Sequence, residues 1–433
     1  MPGHCPVSPL FLCRAMPQIR SRIPPPLLIR DYRAFWAARF FATIAGMMMV
    51  IVIGWQVYDI ARATRSVDDA AFLLGMIGLA QFLPLFCLAL VVGVIADRVD
   101  RRQLARAAVA LELGCAAVLA WLCMEGEVPM AALFIVAALL GVGRAFQGPS
   151  MAALAPNLVP RELLPQAIAL NSISWQSGAV LGPPLGAFLY AVSPQTAYGA
   201  ASIAFGITLV CLLIIRPVAR PAPSTISPWR SLVEGVAYVR HNKVLLGAIS
   251  LDLFAVLLGG ATAMLPVYAR DVLHVGVEGL GPLRAAPSAG AVLVAALLAA
   301  RPLRRNVGPV MFASVAVFGL ATVLFGLSTS YPLSLAALFV LGAADAVSVF
   351  VRGSLIQLHT ADDMRGRVSS VSGLFISASN ELGEMESGLA ARYLGAVPSV
   401  VAGGIGAVLV TILWAWRFPV LRKADRFEDQ QPG

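Results

Sequence analysis

The chain has 433 residues, of which 59% are hydrophobic and 13% charged, with a net charge of +9 and a mean hydropathy of +0.81. A soluble domain carries about 25% charged residues, so this composition cannot solvate a globular surface and excludes soluble enzymes, disordered chains and nucleic-acid binders. The positive charge sits in short loops between apolar runs, which is a membrane pattern.

Residues 1–33 read as a disordered cytoplasmic leader. The apolar stretch Pro6–Leu12 is too short for a signal-peptide core, and Pro24, Pro25 and Pro26 follow it. Met16 is a second candidate start. Twelve apolar runs come next, each reaching the roughly 20 residues that a membrane helix needs. They cover 34–60, 71–96, 104–124, 128–150, 163–192, 194–216, 244–270, 280–301, 308–328, 331–357, 366–394 and 396–417. The fifth, seventh, tenth and eleventh exceed the minimum and are expected to tilt or to project into water. Residues 217–243 form a linker between six spans and six, and 418–433 a charged cytoplasmic tail. Six scattered cysteines with no Cys-x-x-Cys, and four histidines far apart, predict neither a disulfide framework nor a metal site.

Orientation follows from the basic residues. With both termini inside, the inner segments hold 24 Arg and Lys and the outer ones 5, namely Arg62, Arg65, Arg270, Arg284 and Arg392. In the linker, Trp229, Leu232, Val233, Val236 and Val239 recur at helical spacing opposite Arg230, Glu234 and Arg240. That pattern predicts an amphipathic helix on the inner membrane surface, or else a solvated linker helix.

The fourth and fifth spans and the tenth and eleventh share a pattern: a Gly-rich start, an early charge, an acidic-basic loop and a long helix rich in small residues. Two related six-span halves imply a secondary transporter with its substrate cavity between them.

Three motifs carry a family resemblance. Residues 93–102, GVIADRVDRR, resemble the G-x-x-x-D-R-x-G-R-R loop of the major facilitator superfamily, matching at Gly93, Asp97, Arg98, Arg101 and Arg102, with Asp100 in place of the second glycine. Such a charged loop can latch two halves together, or merely set topology. RAFQG in span four, with Arg144, Gln147 and Gly148, resembles the R-x-x-Q-G motif linked in that family to proton transfer. SGAVLGPPLGAF in span five, with Gly178, Gly182, Pro183 and Gly186, resembles the antiporter motif, which marks exporters; tight packing is the alternative reading. The finer resemblance is to the enterobactin-exporter-like branch, which includes siderophore and drug exporters. It rests on ARFFATIAGMMMVIVIGWQVYD, ADRVDRR, LVPRELLPQAIALNS, EGVAYVRHNKVL and MRGRVSSVSGLF. The resemblance implies an all-α membrane fold of twelve helices in two pseudo-symmetric six-helix bundles.

Acids inside spans are costly and point to function or pairing. The candidates are Asp59, Glu112, Asp252, Asp345, Glu381, Glu384 and Glu386. Glu381 and Glu384 are three apart, on one helix face. Asp345 and Arg352 are seven apart, too far for direct contact within the helix. The expected pairings are Arg352 with Glu381 or Glu384, Glu112 with an arginine of the 93–102 loop, and Arg39 with Asp252. Static salt bridges are the alternative to proton coupling. Arg39, Phe40, Phe41, Trp55, Gln56, Tyr58, Gln81, Asn171, Trp175 and Gln176 are polar or aromatic enough to line a substrate path.

The expected function is a monomeric proton-coupled exporter of a small amphipathic molecule, siderophore or drug-like, in the bacterial cytoplasmic (inner) membrane. Lipid, the substrate and protons are its expected partners; no nucleic acid, cofactor or catalytic residue is expected. An importer or facilitator, or a non-transporting membrane sensor, is the alternative. No phosphate-binding loop or nucleophile–base set points to an enzyme.

Overall fold

A computed structural model describes residues 24–126, 128–217, 228–301, 303, 305–361 and 364–426; the side chains of residues 89–98, Arg161, Pro228 and Ser377 lie outside the description. The twelve long helices are α1 (Arg30–Thr64), α2 (Val67–Arg98), α3 (Arg101–Glu125), α4 (Met130–Leu154), α5 (Leu164–Val192), α6 (Pro194–Ile214), α7 (Lys243–Leu258), α8 (Gly276–Ala300), α9 (Val307–Leu327), α10 (Tyr331–Leu358), α11 (Arg365–Leu394) and α12 (Ala396–Arg417). Ten of the helical segments are long and apolar enough to cross a membrane. The other two, α5 and α11, are 29 and 30 residues long but carry more polar side chains. The described residues contain no strand.

Helix is the expected outcome, because a chain in hydrocarbon must satisfy every backbone N–H and C=O within its own segment. The turns are equally local. Asp100 accepts the Arg102 backbone N–H and starts α3, and Asn242 accepts from Val244 and Leu245 at the start of α7. Gly126 ends α3 with φ 101°.

The packing repeats from one half to the other. In the first half α1 packs on α5 and α6, α3 on α4 and α6, and α2 on α4; in the second, α7 packs on α11 and α12, α9 on α10 and α12, and α8 on α10. The halves meet along two matching seams, α2 with α11 and α5 with α8.

Three features depart from the sequence expectation. The first helix begins at Arg30, after a turn at Pro25–Leu28, so residues 30–33 belong to the bundle and not to a leader. Tyr32 is fully buried there and donates to the Ala167 carbonyl at 2.6 Å. Residues 1–23 lie outside the described residues. The seventh span is not continuous: α7 stops at Gly259 and Gly260, and the chain goes on as a 3-10 turn (Ala261–Met264), one helical turn holding Pro266, and a π turn (Tyr268–Val272). Glycine and proline explain the break. The tail is partly docked, since the Val307 and Gly308 amides donate to the Asp425 and Ala424 carbonyls.

The linker contains a helix at Pro228–His241. It is fastened to the second half: Glu234 accepts from Arg367, and the Tyr238 hydroxyl donates to the His359 carbonyl at 3.2 Å. Val239 is buried and Leu232 half-buried, while Trp229, Val233 and Val236 stay exposed. The apolar stripe therefore serves two faces.

Candidate functional site

A polar cluster lies inside the first half. Arg144 on α4 donates to Gln81 Oε1 on α2 at 2.9 Å, and Gln147 donates to Glu112 Oε2 on α3 at 2.6 Å. Glu112 is 2% exposed. Glycine makes room for it, since a Cβ on Gly143 would lie 2.7 Å from Glu112 Cγ. This arrangement corrects the expected pairing of Glu112 with the 93–102 loop. Arg144 and Gln147 lie on one side of α4 and reach different helices, which the three-residue spacing of the R-x-x-Q motif permits.

The second half faces this cluster with α11. Glu384 pairs with Arg284 of α8 at 3.6 Å, and Arg284 also donates to the Thr262 carbonyl at 3.0 Å. That carbonyl lies in the 3-10 turn that follows the break in α7. Glu384 lies over α2 of the other half, where a Cβ on Gly78 would sit 2.9 Å from Glu384 Oε2. Glu381 is half-buried one turn before Glu384, and its carbonyl oxygen would lie 3.8 Å from a Cβ on Gly78 of α2. Sequence reasoning missed Arg284, because it was counted with the outer basic residues although it falls near the start of the 280–301 run; the structure has it two turns inside α8. Gly259, Gly260 and Pro266 were the available signal for a broken seventh span.

Arg352 does not meet the α11 glutamates. It forms a buried ion pair with Asp252 of α7, so the expected partners of both residues are corrected. Asp345 lines a small cavity with Asp252. Arg39 has no acidic partner among the described residues; its Nε is buried without a hydrogen bond, as is Asn171 Oδ1.

The ion pairs that cross between the halves, among the described residues, all lie at the end opposite the termini. Arg270 pairs with Asp59, Arg62 with Asp271 at 3.0 Å, and Arg392 with Asp69 at 3.8 Å. Tyr58 donates to Asp271, and the Arg392 guanidinium covers the Phe72 ring at 4.7 Å. Below them Gly75 and Gly388 bring α2 and α11 into backbone contact: a Cβ on Gly75 would lie 2.8 Å from Gly388 Cα. Asp59 and Tyr58 therefore belong to a closed far end and not to a cavity wall. That end is shut by side chains of α1, α2, α11 and the Tyr268–Val272 turn.

The other motif residues have local roles in this conformation. Arg101 donates to the Ala153 carbonyl at 3.4 Å and Arg102 to the Ile215 carbonyl at 2.9 Å, both within the first half. The side chains of Gly93, Asp97 and Arg98 lie outside the described residues. Gly178, Gly182 and Gly186 are buried against α1, where added Cβ atoms would meet Thr43 at 2.7 Å, Met47 at 2.6 Å and Ile51 at 2.9 Å. Pro183 and Pro184 on the same helix face Gly281 of α8. Trp55 and Gln56 are not path residues: both are buried in the first half, and Gln56 Oε1 accepts from Tyr198 at 2.6 Å. Gln176 is half-buried and Trp175 exposed on α5.

A sequence profile described as Major Facilitator Superfamily matches residues 35–384. The chain is 28% identical over 413 residues to the enterobactin exporter EntS of Escherichia coli O1:K1 / APEC, covering 93% of this chain and 94% of that one. It is also 28% identical, over 394 residues, to the enterobactin exporter EntS of Citrobacter koseri, covering 88% and 90%. Among solved structures, a bacterial homolog of the human lysosomal transporter Spinster, inward-facing and unoccupied, superposes with a TM-score of 0.69 at 15% identity over 91% of this chain and 99% of that chain. A D-xylose–proton symporter gives 0.71 at 13% identity over 94% and 100%.

Proposed function

The chain belongs to the major facilitator superfamily of membrane transporters, and from that premise we propose that it exports a small amphipathic molecule, a siderophore or drug-like compound, in exchange for protons. The similarity to enterobactin exporters over nearly the whole chain supports outward transport of a compound of that kind. The basic-residue bias supports an inner-membrane protein with both termini in the cytoplasm. On that orientation the closed end faces outward, and the substrate loads between the halves from the cytoplasmic side.

The observation that carries the reading is the position of Arg144. It is held by Gln81 of α2, one turn from Gly78, against which Glu384 and the Glu381 carbonyl of the other half pack. In this reading an ionised Glu381 attracts Arg144 and draws the halves together; a protonated Glu381 does not. Binding a proton on one side and releasing it on the other therefore biases the rocking of the two bundles. Gln147 holds Glu112 one turn from Arg144 on the same helix, and Arg284 holds Glu384 one turn from Glu381. Arg39, Asn171 and Gln176 lie on α1 and α5 as candidate substrate contacts, and the 93–102 loop, with Asp97 and Arg98, is the candidate latch of the opposite state.

The test is accumulation of a fluorescent dye and of a labelled catecholate in cells expressing the protein or Arg144→Ala, with and without a protonophore. The reading predicts lower accumulation of at least one probe in the wild type, lost in the variant and lost with the protonophore. Wild-type export that persists unchanged under the protonophore contradicts proton coupling.

A further inference from the structure

The linker helix, Pro228–His241, has two faces of different chemistry. One is taken by the second half. Val239 is 4% exposed and joins Leu245, Ile249, Ile356, Val368 and Val371 in a separate apolar core. Gly235 lets the helix lie close on α11: a Cβ there would sit 2.8 Å from Val371 Cγ2 and 2.9 Å from the Arg367 carbonyl oxygen. The Tyr238 hydroxyl donates to the His359 carbonyl and accepts from the Ala361 amide, each at 3.2 Å. Glu234, the only acid of the helix, accepts from Arg367 and, at 2.8 Å, from Arg230.

The opposite face is left open. Trp229, Val233, Val236 and Arg240 follow at i, i+4, i+7 and i+11, one stripe of a helix. All four are exposed, the tryptophan by 61%. Lys243, the first residue of α7, is exposed as well. Neither Arg240 nor Lys243 has an acidic partner among the described residues, and Glu234 is already shared by two arginines.

We propose that this face is a docking surface for anionic phospholipid of the inner leaflet, with Arg240 and Lys243 on the headgroup phosphate and Trp229, Val233 and Val236 among the upper acyl carbons. Position selects a lipid. One residue, Asn242, separates the linker helix from α7, which is long and apolar enough to cross the membrane. The face is therefore held at the water–hydrocarbon boundary, where tryptophan and a basic-flanked apolar stripe belong. Charge selects the lipid class: two cations without an acid on their face attract a net-negative headgroup and gain little from a zwitterionic one. Docking of the other face orders the helix before lipid arrives, so binding does not have to supply that ordering. Through Glu234 and Arg367 the anchored helix ties α11 to the leaflet. The surface depends on the inward orientation of the termini and not on the direction or coupling of transport.

The test is tryptophan quenching in the purified full-length chain, reconstituted in phosphatidylcholine vesicles. These contain an equal small fraction of either acyl-brominated phosphatidylglycerol or acyl-brominated phosphatidylcholine. The wild type is expected to be quenched more by the brominated phosphatidylglycerol, and the excess to disappear in Trp229→Phe. Arg240→Gln with Lys243→Gln is expected to bring the two lipids to the same quenching, and high salt to shrink the excess. Both positions are exposed, so the double change leaves the packed face intact. Equal quenching of the wild type by the two lipids overturns the anionic site. An excess that survives Trp229→Phe or the double change puts the anionic lipid elsewhere and overturns this surface. Trp229 emission quenched by neither lipid overturns it too, and leaves the face to water or to another protein. No arm uses a substrate, so these outcomes stand whatever the transport assays show.

Discussion

Arg352 of α10 and Asp252 of α7 form an ion pair inside the second half, fastening two helices that have few other contacts through charge. Removing one partner of such a pair leaves an uncompensated charge and costs about 3–5 kcal/mol. Arg352→Leu alone is therefore expected to lower the thermal midpoint of the detergent-purified protein sharply. The double variant Arg352→Leu with Asp252→Leu is expected to recover most of the loss. Equal destabilisation by the single and the double changes would show that the pair is not the source.

The glycines of α5 make a sharper steric prediction. A Cβ at Gly182 would lie 2.6 Å from Met47 Cβ and 3.0 Å from the Ile44 carbonyl oxygen, whereas one at Gly148 of α4 would meet nothing within 4 Å. Gly182→Ala is expected to cost about 1–3 kcal/mol by overpacking, and Gly148→Ala is expected to be nearly neutral in thermal stability. Comparable melting of the two variants would contradict the α1–α5 packing.

The far-end ion pairs predict a shift between conformations. Each exposed pair is worth about 0.2–1 kcal/mol, so Asp271→Ala, which removes the Arg62 ion pair and the Tyr58 acceptor together, is expected to raise the open far-end population several-fold. Spin labels at the far end of α1 and beside the Tyr268–Val272 turn read this as a longer distance component, stronger at high salt. An unchanged distance distribution would mean that the backbone contact at Gly75 and Gly388 closes this end by itself.

The linker helix predicts a contact with lipid. Trp229, Val233 and Val236 are exposed on the side turned away from the bundle. In vesicles of brominated lipid, Trp229→Phe is expected to remove part of the quenched tryptophan emission. No change in quenching would mean that this face is solvated.

Much of the fold was legible in the sequence, because membrane helices announce themselves by length and apolar content and end at charged loops. The last span, 396–417, coincides with α12. The start of α1 was misread because Arg30 and Arg33 look like loop residues, although Tyr32 between them is core. The site was half legible. Arg144, Gln147, Glu381 and Glu384 stand out because ionisable or amide groups in apolar helices are conspicuous. Their partners were not legible: which arginine meets which acid depends on helix rotation and on the break after α7. That break delivers the Thr262 carbonyl to Arg284, leaving Arg352 to Asp252. The polar residues Gln56 and Tyr58 resembled path residues by composition alone, and packing assigned them elsewhere.

The most direct test of proton-coupled export is substrate-dependent proton movement in everted membrane vesicles with an acid interior. Adding the catecholate or dye identified in cells is expected to collapse the pH gradient in wild-type vesicles and to leave it intact in Arg144→Ala and Glu381→Gln vesicles. Substrate uptake with no proton movement in the wild type would contradict the account.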